Sequence, residues 1–482
     1  MLFNSFDFLF FFPLVVILYY VLAHKYRAFL LLIASYFFYF YWEPSLVLLL
    51  FASTVVDYYV GIKIHAAKNQ KKRKLYLYLS ILVNLGMLFY FKYLGFFAET
   101  SFAILDFFGI DHATETVSQT YNIEKILLPV GISFYTFQTM SYSIDVYRKL
   151  TKPERNFVKY ALYVSFFPQL VAGPIERANR LIPQFYKKIQ INIPAIKQGV
   201  IMMAWGFFLK LVVADRLGIY VDLVFSNPIN YKGLPLILGS YFFSFQIYFD
   251  FSAYTTIAIG AAKILGFNLM QNFDRPMVAK NMVSLWQRWH ISLIKWLRDY
   301  MLIPLSKTKL SRYWIILIVF FSMGLWHGAG WNFIVWGLLN GVFLIFEVGT
   351  NKFRKKLIRK INIPILKPLF TFSWRLLWYH YLVFSLIFFR SPSFDIALEY
   401  LANLFAFDNL QVNILKYSYE FYLTIGLLIF VQIIHYYKGN DKIYELITER
   451  PVVIRWLIYI LFIIGIVLFS MNRQNNFIYF QF

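Results

Sequence analysis

The chain has 482 residues, of which 60% are hydrophobic, 22% aromatic and only 15% charged, and its mean hydropathy is +0.58. A soluble domain carries about a quarter charged residues, so a soluble enzyme with a large core is excluded in favour of a polytopic membrane protein. The net charge of +23 is gathered in short loops between apolar blocks, clearest at residues 63–74, 148–155 and 351–360. That is the signature of loops held on the cytoplasmic side, touching anionic headgroups, rather than of a nucleic-acid surface.

In chain order, residues 6–23 read as a first, retained span, because no Lys or Arg precedes them to form the n-region of a signal peptide. The basic loop "HKYR" at 24–27 places itself inside and the N-terminus outside. Blocks 28–41 and 45–62 form an out-and-back pair, and 75–97 leads outward to an acidic outer loop over 98–125. Block 126–147 returns inward. Residues 160–174, "YALYVSFFPQLVAGP", are too short and too broken by Pro and Gly to span, so they read as re-entrant, which demands protein or water around them. Blocks 199–214 and 236–262 come next, then the amphipathic segment 281–300, then 313–329 and 331–349. Blocks 369–389, 421–437 and 452–471 complete an all-α fold of roughly 11–12 spans in a single domain over 1–482. Alternation leaves the tail "NRQNNFIYFQF" outside.

The segment 281–300 stands apart. Trp286, Trp289, Leu293, Trp296 and Tyr300 recur at helical spacing, while Arg288, Ser292, Lys295 and Asp299 take another face. That pattern predicts one interfacial helix, with His290 toward its apolar side.

There is no cysteine, so thiol nucleophiles, thiolate metal sites and disulfides are excluded. No serine elbow, H-E-x-x-H pair, P-loop or dinucleotide fingerprint is present. Of the seven histidines, His24, His65 and His435 lie at loop edges and His112 in the acidic loop, all four expected to be solvated. His380 sits beside Arg375, where it can snorkel. His327, in "SMGLWHGAGWNF", is an ionisable group within an apolar hairpin, a functional candidate by default. Burial disfavours its imidazolium and keeps it a proton acceptor; the competing reading is a satisfied structural histidine. Gly324 with Gly328 and Gly337 with Gly341 match the small-xxx-small pattern of close helix contact. Asp250, mid-block in "FQIYFDFSAY", must be paired or protonated. It reads either as an ion pair with Arg288 or Arg298, or as a group orienting a histidine.

Four stretches carry a resemblance: "LPVGISFYTFQTMSYSIDVYR" (128–148), "FFPQLVAGPIERA" (166–178), residues 248–276 joined to "WQRWHISLIKWLRDYMLIPL" (286–305), and "SMGLWHGAGWNF". Together they resemble the membrane-bound O-acyltransferase (MBOAT) family, in its bacterial alginate O-acetylation and D-alanyl transfer branch, with the core motifs over 128–346. The resemblance implies spans around a tunnel or funnel in the bacterial cell membrane, and the basic loops and the alternation of spans put both termini on the extracytoplasmic side. His327 matches the family's hallmark histidine and His290 the second one, with Asp250, Arg288, Trp326 and Asn332 as supporting side chains. The tail 472–482 contains "FIYFQF", similar to a C-terminal aromatic motif whose tyrosine, here Tyr479, is a possible acyl relay; the plainer reading is an interfacial aromatic anchor.

The resemblance further implies transfer of an acyl group, acetyl first, from a cytoplasmic thioester to an extracytoplasmic polysaccharide or cell-wall polymer. The donor would be acetyl-CoA or an acyl carrier protein, with no bound cofactor and no metal. An extracytoplasmic SGNH (serine-esterase-type) acyltransferase would be a partner. Other readings are D-alanyl transfer from a carrier protein, a proton-coupled lipid or sugar transporter using His327 and Asp250, and a non-catalytic scaffold.

Overall fold

The computed structural model describes residues 1–109, 129–171, 173–361, 363, 365–406, 414–415, 418–471 and 477–480. Among them there are helices and turns and no strand, as expected where lipid leaves backbone groups no partner but their own helix. Five helical runs are long and apolar enough to cross a membrane: Pro44–Ala66, Gln70–Phe107, Trp331–Lys360, Ser418–Tyr437 and Val452–Phe469. Phe6–Val21 and Arg312–His327 are shorter apolar helices. Leu234–Ile264, of 31 residues, has the length to cross at about 1.5 Å per residue. The chain divides into two compact units, residues 1–197 with 261–270, and residues 198–260 with 271–482.

In the first unit, α1 (Phe6–Val21) and α2 (His24–Phe40) precede α3 (Pro44–Ala66), α4 (Gln70–Leu88) and, beyond a wide turn, α5 (Leu94–Phe107). Helix therefore extends through Glu99 and Asp106, where an acidic loop was expected; Asp111, His112, Glu115 and Glu124 lie outside the described residues. Helix α6 (Ile132–Tyr147) is buried along nearly its whole length. Its inner face meets α3 and α4 at Asp57, fully buried, which accepts from Asn84 Nδ2 at 2.6 Å, from Ser143 Oγ at 2.9 Å and from the Ser80 hydroxyl. A carboxylate at this depth is tolerable because three donors surround it.

The broken segment after α6 comprises α7 (Phe157–Ser165) and the single turn α8 (Phe167–Leu170), with every residue from Tyr160 to Val171 buried. Pro168 stops α7 from continuing, and two amides repair the interruption: Gln138 and Gln169 both donate to the Tyr163 carbonyl, at 2.5 and 2.9 Å. Irregular backbone thus stands where protein, not lipid, encloses it.

In the second unit, α9 (Ile193–Phe208) begins before the division and passes through a wide (π) turn over Leu209–Ala214 into α10 (Asp215–Ser226). The helix does not stop at 214 as the apolar block does. Asp215 and Arg216 are carried inside because each finds a partner, Lys210 at 2.8 Å and the Glu420 carboxylate. Next come α11 (Leu234–Ile264), α12 (Met282–Trp286), α13 (Ile291–Leu297), α14 (Arg312–His327) and α15 (Trp331–Lys360). The unit closes with α16 (Leu366–Arg390), α17 (Phe394–Leu404), α18 (Ser418–Tyr437) and α19 (Val452–Phe469). Helix α19 has no buried residue, so its apolar surface is left for lipid.

The fold corrects two further expectations. Segment 281–300 is not one interfacial helix: α12 and α13 are separated by a turn at 287–290, with His290 in the left-handed region (φ +41°). Periodicity missed the break because the aromatic spacing survives on either side of it. His435 is buried rather than solvated: its Nε2 lies 2.7 Å from Asn440 Oδ1 and its Nδ1 3.3 Å from the Tyr248 hydroxyl. Asn440 Oδ1 also accepts from Trp205 Nε1 at 2.9 Å.

Candidate active site

His327 is the last residue of α14, and Gly328–Gly330 turn the chain directly into α15. The hairpin closes this tightly because backbone meets backbone. A Cβ on Gly324 would stand 2.4 Å from the Phe333 carbonyl oxygen, and one on Gly337 would stand 2.4 Å from that of Phe320. Gly324 thus faces Gly337 across the helix pair, while Gly328 makes room for the Phe333 ring. The imidazole of His327 is 5% exposed and is walled by rings. Trp326 lies at 4.9 Å between centroids, Trp336 at 5.1 Å, Phe389 at 5.2 Å and Tyr479 at 5.5 Å.

His290 occupies the break between α12 and α13. Two backbone bonds splice this turn to residues 272–274: Ile291 N–H donates to Asn272 O at 2.8 Å, and Asp274 N–H to Arg288 O at 2.9 Å. From α15, the buried Glu347 carboxylate accepts the N–H groups of Met282 and Val283, at 2.8 and 3.2 Å, and so anchors the start of α12. Asn272 Oδ1 lies 3.1 Å from His290 Nδ1 and also accepts from Ser292 N–H (3.2 Å) and Oγ (2.8 Å). The backbone donor identifies that atom as the amide oxygen, so His290 Nδ1 carries the proton and Nε2 the lone pair. A left-handed non-glycine backbone costs energy and persists only where surrounding contacts hold it.

Trp326 links the two histidines, and Phe251 links His290 to Tyr479. Trp326 lies 5.7 Å from His290 and 4.9 Å from His327, and Phe251 lies 4.7 Å from His290 and 4.3 Å from Tyr479. Tyr479 comes from a short turn, Ile478–Phe480, and its neighbours are not at a surface: Phe477 is fully buried and Ile478 is 3% exposed. Phe477 packs on Tyr254 at 4.5 Å. His327 and Tyr479, with Ser244, Ile247, Trp286, Trp289, Trp336 and Phe389, line a narrow cavity. Its clear space in this state holds only about one or two waters.

The expected helpers take different places. Asp250 pairs with Lys210 Nζ at 2.7 Å, not with Arg288 or Arg298, and does not orient a histidine; its Oδ2 accepts the Ile478 N–H at 2.7 Å. Lys210 lies in the wide turn Leu209–Ala214. Arg288 instead holds Asp274 (2.9 Å), and Arg298 holds the adjacent Asp299 (2.8 Å). Asn332 Nδ2 donates to the Ser391 carbonyl at 2.8 Å, tying α15 to the end of α16. Trp326 is in contact with both histidines. Sequence reasoning passed over Lys210, Asn272, Phe251 and Glu347. Lys210 and Glu347 were detectable as charges within apolar runs, "FFLKLVV" and "FLIFEVG"; Asn272 and Phe251 carry no such mark.

An all-helical membrane protein with a histidine sealed in a helical hairpin beside a ring-lined cavity is the class that fold and site define. The chain belongs to the membrane-bound O-acyltransferase family, whose sequence pattern matches residues 154–389. It is 33% identical over 512 residues to a protein of Pseudomonas putida described as probable alginate O-acetylase AlgI, an alignment covering 100% of both chains. It is 33% identical over 461 residues to the Azotobacter vinelandii protein of the same description, covering 94% of this chain and 87% of the other. It is 31% identical over 403 residues to the peptidoglycan O-acetyltransferase of Helicobacter pylori, covering 77% of this chain and 73% of the relative. This protein is accordingly an O-acyltransferase of the membrane.

Proposed function

We propose that this O-acyltransferase carries an acetyl group from a cytoplasmic thioester, by way of Tyr479, to a hydroxyl of an extracytoplasmic polysaccharide or cell-wall polymer. The carrying observation is the juxtaposition of Tyr479 with His327, 5.5 Å between rings, in a buried and mostly apolar cavity. A free phenol ionises near pH 10, and burial moves that higher, so attack on a thioester needs a base. His327 is that base. It takes the phenol proton as the Tyr479 oxygen bonds to the thioester carbonyl carbon, and returns it to the departing thiolate. The aryl ester retains acyl-transfer potential because phenolate leaves well, so no second activation is required. In the second half, an acceptor hydroxyl attacks the ester carbonyl and Tyr479 recovers its proton. Positioned base catalysis contributes about 10² to 10⁴ in rate, and the ring walls exclude water that would hydrolyse the ester.

His290, with its lone pair at Nε2, stands on the other side of Trp326 and Phe251, where it serves the donor rather than the phenol. The acceptor class and the acetyl group are supported by the relatives' descriptions, alginate and peptidoglycan O-acetylation. On this reading the protein resides in the bacterial cell membrane with both termini outside, beside an extracytoplasmic SGNH-type transferase.

The test is to incubate the purified protein in nanodiscs with radiolabelled acetyl-CoA, and in parallel with an acetylated carrier protein, then to map label by peptide mass spectrometry. Label on Tyr479 that is absent from Tyr479→Phe and reduced at least 100-fold in His327→Ala is expected. Label retained in Tyr479→Phe would remove the relay, and equal labelling rates in His327→Ala would remove the base.

A further inference from the structure

The proposed relay requires Tyr479 to be seated beside His327, yet it lies in a short turn, Ile478–Phe480, and not on one of the long helices. We propose that Lys210 and Asp250 form a buried catch that holds this tail in the site, and that Asp250 is a positioning residue for the reaction. Lys210 Nζ bridges Asp215 Oδ1 (2.8 Å) and Asp250 Oδ1 (2.7 Å), with all three side chains buried. Asp250 turns its other oxygen, Oδ2, outward to the Ile478 N–H at 2.7 Å, one residue before Tyr479. A backbone donor to a carboxylate is stronger than a neutral bond, and the Lys210 ammonium lies against the other oxygen of the same carboxylate at 2.7 Å. The Tyr254 ring lies 5.6 Å from the same ammonium and packs against Phe477 at 4.5 Å, so the catch grips the tail by charge and by ring.

Two features set this apart from an ordinary buried ion pair. Lys210 lies in the wide turn Leu209–Ala214, an interruption of a long helix of the kind that recurs at functional sites. One of the two acids also holds the short turn Ile478–Phe480 rather than a long helix, so its bond breaks without unfolding any span. The docking part of the proposal stands on geometry alone; the catalytic part rests on the acyl-relay reading of Tyr479.

Because the chain has no cysteine, a single introduced thiol reports on the tail. Ile478→Cys keeps the backbone N–H and places a thiol at a position 3% exposed; its reaction with a membrane-impermeant maleimide measures how often the tail leaves its seat. In this background Asp250→Asn, which keeps size but weakens the acceptor and frees Lys210, raises the labelling rate at least tenfold, and Lys210→Met does the same. Val224→Cys, in the fully buried interior of α10, reacts no faster in either variant, which separates release of the tail from loss of fold. Asp215→Asn leaves the Asp250 bond to Ile478 in place and changes tail labelling by less than the other two.

With Ile478 restored, Asp250→Asn lowers acetyl label on Tyr479 at least tenfold while the mapped site stays the same. An unchanged thiol rate in Asp250→Asn and Lys210→Met overturns the catch. A faster thiol rate with undiminished label on Tyr479 overturns the positioning role. A faster thiol rate in a protein whose Tyr479 never carries label leaves the catch standing and removes the relay instead.

Discussion

Gly337→Ala tests whether the spacing of α14 and α15 sets the reactivity of His327. The new methyl would lie 2.4 Å from the Phe320 carbonyl oxygen and 3.0 Å from Gly324 Cα, both backbone atoms that no rotamer change can move. Carbon–oxygen contacts settle near 3.3 Å or more, so the helices must part locally by about 1 Å. Overpacking of this kind costs about 1–3 kcal/mol. Replacing a helical glycine by alanine returns about 0.5–1 kcal/mol, which leaves a net loss between about 0 and 2.5 kcal/mol. The larger effect falls on chemistry: Trp336, the residue before Gly337, is a wall of the His327 pocket, and a 1 Å misplacement costs about 10² in rate. Acetyl-transfer rate and thermal-inactivation half-life in nanodiscs are the readouts, with Gly349→Ala as control, a site on the same helix where a Cβ meets nothing within 4 Å. Gly337→Ala with a rate within twofold of wild type would refute the reasoning.

Three further outcomes are expected. Glu347→Gln weakens the acceptor that holds the Met282 and Val283 N–H groups, a loss of about 1–2 kcal/mol in local order; transfer rate falls and exchange of the amides at 282–290 accelerates, whereas unchanged exchange would place the anchor elsewhere. Asp57→Leu strands the donors of Ser80, Asn84 and Ser143 at about 1–3 kcal/mol apiece for those that stay dry, and Asp57→Asn is milder; equal thermal midpoints for the two variants would contradict this. Burial raises the Glu176 carboxyl, in the loop after α8, to about 7 against the pull of Arg180. A raised carboxyl stabilises the fold fully below its ordinary value of 4.5, and that contribution is lost as pH rises through about 7. The thermal midpoint should therefore fall between about pH 4.5 and 7 and level off above that in wild type, and fall less steeply in Glu176→Gln; parallel curves would exclude this group as the cause.

Composition alone determined that the chain lives in lipid, because so many apolar residues in long blocks have no other stable solvent. The motif around His327 was likewise legible: an imidazole among glycines and tryptophans is costly enough in hydrocarbon to announce itself, and small residues at fixed spacing signal close helices. Hydropathy does not encode which polar group meets which. Asp250 was visible as a buried charge, but its partners Lys210 and Ile478 N–H lie 40 residues before it and 228 after it. Any basic residue would have balanced the pattern equally well, and only the folded chain shows that Lys210 is the one that meets it. The break at His290 was hidden for a related reason: aromatic spacing records which face is apolar, not whether the backbone between two faces is continuous. His435 was taken for a loop residue because a chain read in one dimension cannot show Asn440 folding back over it. Periodicity and transfer energy are properties of short stretches and so are carried by sequence; ion pairing, tautomer and tail docking are properties of residues brought together from far apart, and the tertiary structure alone decided them.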